Sequence, residues 1–318
     1  MIIICGPTAT GKTFFGLELA KRINGEIISA DSRQIYKYLT VGTAKPSGKW
    51  INNFYTVDGI FYHLVDFLNP DETFNVGDFV DRCEILISDI KKRNRIPIIV
   101  GGTGLYIKSL IYGLSELPEK NTEIRNKLFK ISLEKGREYL YKKLQNIDHK
   151  ISQKIHPNNI HRIIRALEVY ELTGVPMSEL IKQKQKNRLK EKFLLLGLYL
   201  KRNILYDRIV KRTQEMLRNG FIEETEKVLK LGFKENSCGF QSLGYKYVIE
   251  YLKKQINYDE MFKKIVLDTK HYAKRQNTWF KSDKNIVWFD VGDIGYEKII
   301  DIILNKYGTS YCSWNKIS

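Results

Sequence analysis

Cysteine is scarce in this sequence. Cys5, Cys83, Cys238 and Cys312 are its only four in 318 residues, and no two stand in C-x-x-C spacing. That excludes zinc sites and dithiol redox pairs of that type. The first three read instead as small buried apolar residues. Long apolar runs are also lacking: none approaches the roughly 20 residues that span a bilayer. No basic stretch precedes the first apolar run, as it would in a secretory signal, so Met1–Cys5 reads as a core strand. The expected location is the cytoplasm. Acidic residues are outnumbered, 36 Asp and Glu against 53 Lys and Arg, for a net charge of +17. The imbalance is uneven. Residues 1–115 hold 13 basic and 11 acidic residues, 116–190 hold 17 and 9, and 191–318 hold 23 and 16. Clustered cations suit a polyanion, because they displace counterions condensed on nucleic acid. A basic composition without any ligand gives the same totals.

What is present begins at the amino end. Gly6-Pro7-Thr8-Ala9-Thr10-Gly11-Lys12-Thr13 fits G-x-x-x-x-G-K-[ST] without a mismatch. A buried strand precedes it, and a helix follows from Phe14 to Ile23, with Phe15, Leu19 and Ile23 on one face. A glycine-rich turn entering a helix leaves backbone N–H groups free and aimed at one spot. Lys12 adds a mobile cation, and Thr13 adds a hydroxyl suited to Mg²⁺. The expected ligand is a phosphate or diphosphate at the carboxyl edge of a parallel sheet. The loop alone does not say whether it belongs to a nucleotide.

Glu26–Ala30 reads as the second strand and ends in Asp31-Ser32-Arg33-Gln34. A carboxylate there shares the sheet edge with the phosphate loop. It can hold Mg²⁺, take a proton, or simply cap the next helix. Residues 41–46 read as a turn carrying one lysine, and Tyr62–Asp66 as a short strand whose His63 is structural. A helix is expected over 75–95, with Phe79, Cys83, Leu86, Ile87 and Ile90 on its apolar face. Ile96–Val100 is a third strand. It runs into Gly101-Gly102-Thr103-Gly104, where an ATPase usually carries an acidic Mg²⁺ ligand. Glycines there suggest close backbone approach to a ligand.

From about residue 117 the strand signals stop and three amphipathic helices follow. Ile124, Leu128 and Ile131 mark the first, Leu140, Leu144 and Ile147 the second, and Ile160, Ile164, Leu167 and Tyr170 the third. Arg162 and Arg165 stand near the start of the third, and a basic run covers 182–192. Strand residues return at 193–200. Helices are expected over 205–219 and 222–231, with Arg208 and Arg212 one turn apart and able to face one anion. The segment 270–280 mixes cations with aromatics, as single-stranded RNA requires. One of Trp279 and Phe280 is expected in the core, and residues 286–289 form a last strand. The fold class is α/β: a phosphate-loop parallel sheet flanked by helices, with an inserted all-helical domain. The expected boundaries are 1–116, 117–190 and 191–318.

Taken together, the motifs resemble one family, the tRNA dimethylallyltransferases or tRNA isopentenyltransferases. They are GPTATGKT (6–13), ADSRQIY (30–36), GTAKP (42–46), GGTGLY (101–106), RALEVYELTG (165–174), RIVKRTQEMLRNG (208–220), GYKYVIEYL (244–252) and AKRQNTWFK (273–281). The family often has His where this chain has Tyr62, and Gln where it has His161. The zinc finger of eukaryotic members is not among the matches. The resemblance implies transfer of a dimethylallyl group from its diphosphate to the exocyclic amine of the adenosine 3′ of the anticodon in tRNA. It implies Mg²⁺ and no membrane, and the protein is expected to act as a monomer.

The resemblance also implies site residues. Asp31 is the candidate general base, with Thr10, Lys12 and Arg212 as its catalytic companions. Gly6, Thr8, Ala9, Thr10, Gly11, Lys12, Thr13, Arg208 and Arg212 would bind the diphosphate, and Thr13 the metal. Asp31, Ser32, Arg33, Gln34, Thr103, Arg162, Arg165, Lys274, Arg275 and Gln276 would meet the tRNA. Two rivals use the same loop: a small-molecule or nucleoside kinase, and a non-catalytic RNA-binding protein holding a nucleotide. The Gly-Gly-Thr-Gly strand end argues against the first and Asp31 beside an intact loop against the second.

Overall fold

A computed structural model describes residues 1–113, 115, 117–182 and 192–308. Cys312 and all of the 182–192 basic run except Lys182 and Lys192 lie outside the described residues. The chain divides into two compact units, Met1–Lys108 with Lys190–Ser318, and Ser109–Leu189.

β1 (Ile2–Cys5) is buried at every position, as a parallel strand covered on both faces must be. It turns through the phosphate loop into α1 (Lys12–Ile23), which buries Phe15, Leu19 and Ile23 together. The helix starts two residues before Phe14 because Gly11, at φ 79°, makes the left-handed entry that an L side chain resists. β2 (Gly25–Ser29), β3 (Lys49–Ile51), β4 (Phe54–Val57) and β5 (Ile60–His63) follow. Next come α2 (Val76–Lys92), β6 (Ile96–Val100) and α3 (Gly104–Tyr112), within which the division between the units falls. Asn75 starts α2 with a capping box: its side chain accepts from Gly77 N and Asp78 N, while Asp78 accepts from Asn75 N.

The second unit holds α4 (Thr122–Glu134), α5 (Arg137–Ile147), α6 (His149–Ser152), α7 (Ile160–Thr173) and α8 (Met177–Leu180). Leu128, Leu140, Leu144, Ile164 and Leu167 meet in a core of its own. The three expected helices are α4, α5 and α7; the other two are single turns too short to show a period.

The first unit then resumes with β7 (Leu194–Tyr199), α9 (Arg202–Arg218) and α10 (Phe221–Lys230). α11 (Tyr245–Leu252), α12 (Tyr258–Lys281), β8 (Val287–Asp290) and α13 (Tyr296–Tyr307) complete it. Strand order is β3-β4-β5-β2-β6-β1-β7-β8. From β5 to β8 every pairing is parallel, and β3-β4-β5 is antiparallel. Ile2, Ile4, Ile27, Ile98 and Leu196 share one core with Phe15 and Leu19. Each such side chain contributes about 1.5–3 kcal/mol by leaving water. Consecutive parallel strands put the ends of β1, β2 and β6 on one edge, which gathers the three motif loops.

The β3–β4 hairpin and the extension into β5 were not expected. Both are tight turns through left-handed residues: Asn52 and Asn53 at φ 47° and 64°, then Asp58 and Gly59 at φ 49° and 80°. The second is an Asp-Gly hairpin signal, present in the sequence. The expected strand at Tyr62–Asp66 is shifted, because Leu64 and Asp66 both take positive φ and break the ladder after His63.

Candidate active site

The loop is held open by its own chain. Gly6 and Gly11 have φ 138° and 79°, and Ala9 follows at 64°. A side chain on Gly6 would strike the Leu198 carbonyl oxygen at 2.2 Å, so β7 packs directly behind the loop. Inside the loop, Thr10 Oγ1 donates to Pro7 O at 2.8 Å and Lys12 Nζ donates to the same oxygen at 2.6 Å. Burial lowers the Lys12 pKa from 10.5 to about 8; the Asp31 charge opposes this and Arg212 adds to it.

Arg212 on α9 reaches across to the loop, with Nη1 3.3 Å from Thr8 Oγ1. Burial lowers its pKa too, again against the pull of Asp31. Arg208, one turn earlier, donates from Nη1 to the Tyr296 hydroxyl at 2.9 Å. The loop, Asp31, Arg208 and Arg212 are therefore brought together, although α9 lies about 200 residues along the chain from Thr8.

Asp31 does cap a turn. Its Oδ1 accepts from Arg33 N at 2.8 Å and Gln34 N at 3.3 Å. Among the described residues none donates to Oδ2, which is left for a proton or a cation. The rest of this turn is stitched to neighbouring loops. Ser32 N donates to Thr103 Oγ1 at 3.1 Å, and Arg33 Nη1 to Cys238 O at 3.2 Å. Gln34 is buried, with Nε2 donating to Ala44 O at 3.0 Å.

Thr13 stands at the start of α1, partly exposed. The buried Tyr62 hydroxyl lies beside Thr13 and Ser29 and senses Asp31; burial pushes its phenol well above the ordinary range. Ser29 Oγ is buried and makes no hydrogen bond of good geometry, even with Tyr62 alongside. Hydroxyl oxygens next to a carboxylate form a hard donor set that fits Mg²⁺. That ion commonly takes one or two carboxylates together with substrate phosphates. Among the described residues no three His, Cys, Asp or Glu side chains gather as a metal cluster.

The Gly-Gly loop differs from its expected use. A side chain on Gly101 would meet Ala30 O at 2.1 Å, and one on Gly102 would meet Gln276 Nε2 at 2.3 Å. The close approach these glycines permit is to the protein's own chain. Gln276, assigned above to RNA, is buried: Thr8 N donates to its Oε1 at 2.8 Å, and its Nε2 donates to Gly102 O at 2.8 Å. It bolts the phosphate loop to the Gly-Gly loop. Lys274 and Arg275 sit on the exposed side of α12, away from Gln276. Phe280 is buried and Trp279 partly exposed beneath Lys108 Nζ, 5.7 Å from the ring centroid.

In the helical unit Arg162 is exposed, but Arg165 is engaged. It donates to Glu168 Oε2 at 2.7 Å and Pro118 O at 2.6 Å. Glu168 is fully buried and also takes Arg125 Nε at 2.8 Å. Burial alone would raise its pKa; the two arginines outweigh that and hold it below the carboxylate range. His63 is structural as expected, its Nε2 2.7 Å from Glu26 Oε2 at the opposite end of β2. Cys5 and Cys83 are buried and Cys238 is half-buried. The residues missed from the sequence are Tyr62, Tyr296 and Tyr272, whose phenol burial pushes up to about 12 within reach of Asp31 and Arg33. Nothing in the local sequence marks Tyr296, whereas Tyr62 stands in an expected strand and Tyr272 in the 270–280 segment of cations and aromatics, neither with a stated role at the site.

Known proteins share this chain. A family model described as IPP transferase matches residues 34–283, and one described as isopentenyl transferase matches 1–57. The chain is 46% identical over 305 residues to the tRNA dimethylallyltransferase of Thermoanaerobacter sp. strain X514, covering 94% of each. It is 44% identical over 314 residues to that of Carboxydothermus hydrogenoformans, covering 98% of each. Among solved structures it is similar to the full-length tRNA isopentenylpyrophosphate transferase of Bacillus halodurans. There the TM-score is 0.66 at 36% identity, covering 96% of this chain and 95% of that one. A eukaryotic dimethylallyltransferase acting on tRNA gives TM-score 0.75 at 28% identity, covering 91% and 73%. A complete phosphate loop, Asp31 on the adjoining strand end and similarity along nearly the whole chain lead to one assignment: the chain belongs to the IPP transferase family of tRNA dimethylallyltransferases.

Proposed function

We propose that the protein transfers the dimethylallyl group of dimethylallyl diphosphate to the exocyclic amine of the adenosine 3′ of the anticodon in tRNA. A carbon–nitrogen bond forms and the allylic carbon–oxygen bond breaks. The electron pair leaves with diphosphate and the amine proton goes to Asp31. The observation that carries this reading is Asp31 Oδ2, to which no described residue donates, beside a phosphate loop that holds the buried Lys12 and is met by Arg212 at Thr8. The adenine amine is a poor nucleophile because its lone pair is delocalised, so a positioned base helps it. Charge grows on the departing diphosphate. The loop amides other than that of Thr8, Lys12 on turning from Pro7 O, Arg212 and Arg208 meet that charge. Thr10, buried within the loop with its hydroxyl on Pro7 O, borders the reacting atoms.

Thr13 Oγ1, with Asp31 directly or through water, would hold Mg²⁺. When bound, the ion supplies further charge stabilisation to the leaving group. Ser32, Thr103 and the backbone of Arg33 and Gln34 form the wall on the nucleotide side, with Lys274, Arg275 and Arg162 offering cations to the tRNA backbone. Flipping the adenosine costs a few kcal/mol, less in a loop than in a duplex. The enzyme is proposed to act as a cytoplasmic monomer; among the described residues no helix is long and apolar enough to cross a membrane.

Incubation with tRNA and either labelled dimethylallyl diphosphate or labelled ATP tests the reading. Label should enter tRNA from the first and not from the second. ADP released in proportion to modified substrate would instead identify a kinase.

A further inference from the structure

α13 carries no recognisable motif, yet it reaches the phosphate loop. The Tyr296 hydroxyl donates to Thr10 O at 2.9 Å and accepts from Arg208 Nη1 at 2.9 Å. One phenol proton and one lone pair satisfy both partners at once. Gly11 is shaped to this contact: a side chain there would lie 2.0 Å from the Tyr296 oxygen. The ring rests edge-on against Phe14, centroids 5.4 Å apart. α13 itself is fastened in two ways. Arg22 of α1 pairs with Glu297 and with Asp301, the latter at 2.9 Å. Ile299, Ile300 and Ile303 are buried in the main core. A free arginine loses much rotamer entropy when it must hold one pose. Here an anchored hydroxyl already holds it.

We infer that Tyr296 is a positioning residue for the leaving group: its hydroxyl fixes the Thr10–Gly11 peptide and aims Arg208 at the diphosphate. This rests on the reading that the loop receives a diphosphate. α9 then meets that loop at two points, Arg212 directly at Thr8 and Arg208 through Tyr296 at Thr10.

Inorganic pyrophosphate is the probe, titrated calorimetrically into the wild-type protein, Tyr296→Phe, Arg208→Ala and the double variant. Tyr296→Phe keeps the ring against Phe14 and removes only the hydroxyl. Its pyrophosphate Kd should rise about tenfold, as expected when a hydrogen bond to a charged group is lost. Added to Arg208→Ala, it should raise Kd by clearly less than it does alone, because its hold on Arg208 is already lost and only its bond to Thr10 O remains to be removed. In turnover, KM for dimethylallyl diphosphate should rise while KM for tRNA stays put, a split that a general loss of structure would not give. Wild-type binding with an unchanged Kd in Tyr296→Phe would overturn this inference alone, as would fully additive effects of the two substitutions. A wild-type protein that binds no pyrophosphate would overturn both this inference and the diphosphate reading beneath it.

Discussion

Replacing Asp31 by Asn isolates the chemistry of one oxygen atom. Both hydrogen bonds that Asp31 accepts, from Arg33 N and Gln34 N, fall on Oδ1. An Asn carbonyl keeps them, so the turn survives; Asp31→Ala would lose them at a cost of about 1 kcal/mol. What Asn removes is the basic Oδ2 and one negative charge. A positioned base is worth about 10² to 10⁴ in rate, so single-turnover transfer to tRNA should slow within that range. Affinity for tRNA should stay within a few-fold. Two confounding roles are separable. Asp31 also supports the charge of Lys12 and Arg212. If its loss acted by neutralising Lys12, lowering the pH to about 6.5 would restore the rate, because Lys12 is protonated below its pKa. If Asp31 chiefly held the metal, excess Mg²⁺ would restore it. The assay is therefore transfer measured across a Mg²⁺ series at two pH values. Near-complete rescue along either axis would refute the general-base assignment.

Three further outcomes follow from the same geometry. Lys12, with a pKa lowered by burial to about 8, gains a proton whenever diphosphate binds above that pH. Pyrophosphate affinity should hold below about pH 7 and fall as pH rises through 8, roughly tenfold per unit, and Lys12→Met should flatten that dependence. Arg162→Glu should weaken tRNA binding without changing Tm. Arg165→Glu should lower Tm of the helical unit, because it strips a cation from the buried Glu168. Glu26→Ala should destabilise the protein by about 3 kcal/mol, the low end for breaking a buried pair, since Arg93 reaches water. Burial raises the Glu26 pKa, but His63 and Arg93 outweigh it and hold the value low. The stability it confers is thus full above the unfolded carboxylate range and is lost as pH falls through the folded value. Thermal melts down a pH series check this.

Local signals in this chain were strong where one segment does one job. The phosphate loop, the faces of α1 and α2 and the apolar period of α4, α5 and α7 are legible because backbone geometry and burial repeat over a few residues. The Asp58-Gly59 turn was equally local and was available to be read. Other elements could not be read in this way. α6 and α8 are shorter than any period they could display. The glycines at 101 and 102 show that room was needed, but not that Ala30 and Gln276 would fill it.

Which chemical groups reach the site is legible in the chain: a glycine-rich phosphate loop, one lysine, one hydroxyl and one carboxylate after the second strand. Their grouping follows from parallel strands ending on a common edge. Packing settles which of the remaining polar residues serve that site and which serve the fold. Arg165 and Gln276 look like ligand contacts in sequence, yet each is spent on a partner inside the protein. Tyr296 has no local mark at all and lies 286 residues from the carbonyl it holds. A hydrogen bond depends on a few tenths of an ångström between atoms, and only the packed fold sets that distance between residues so far apart in the chain.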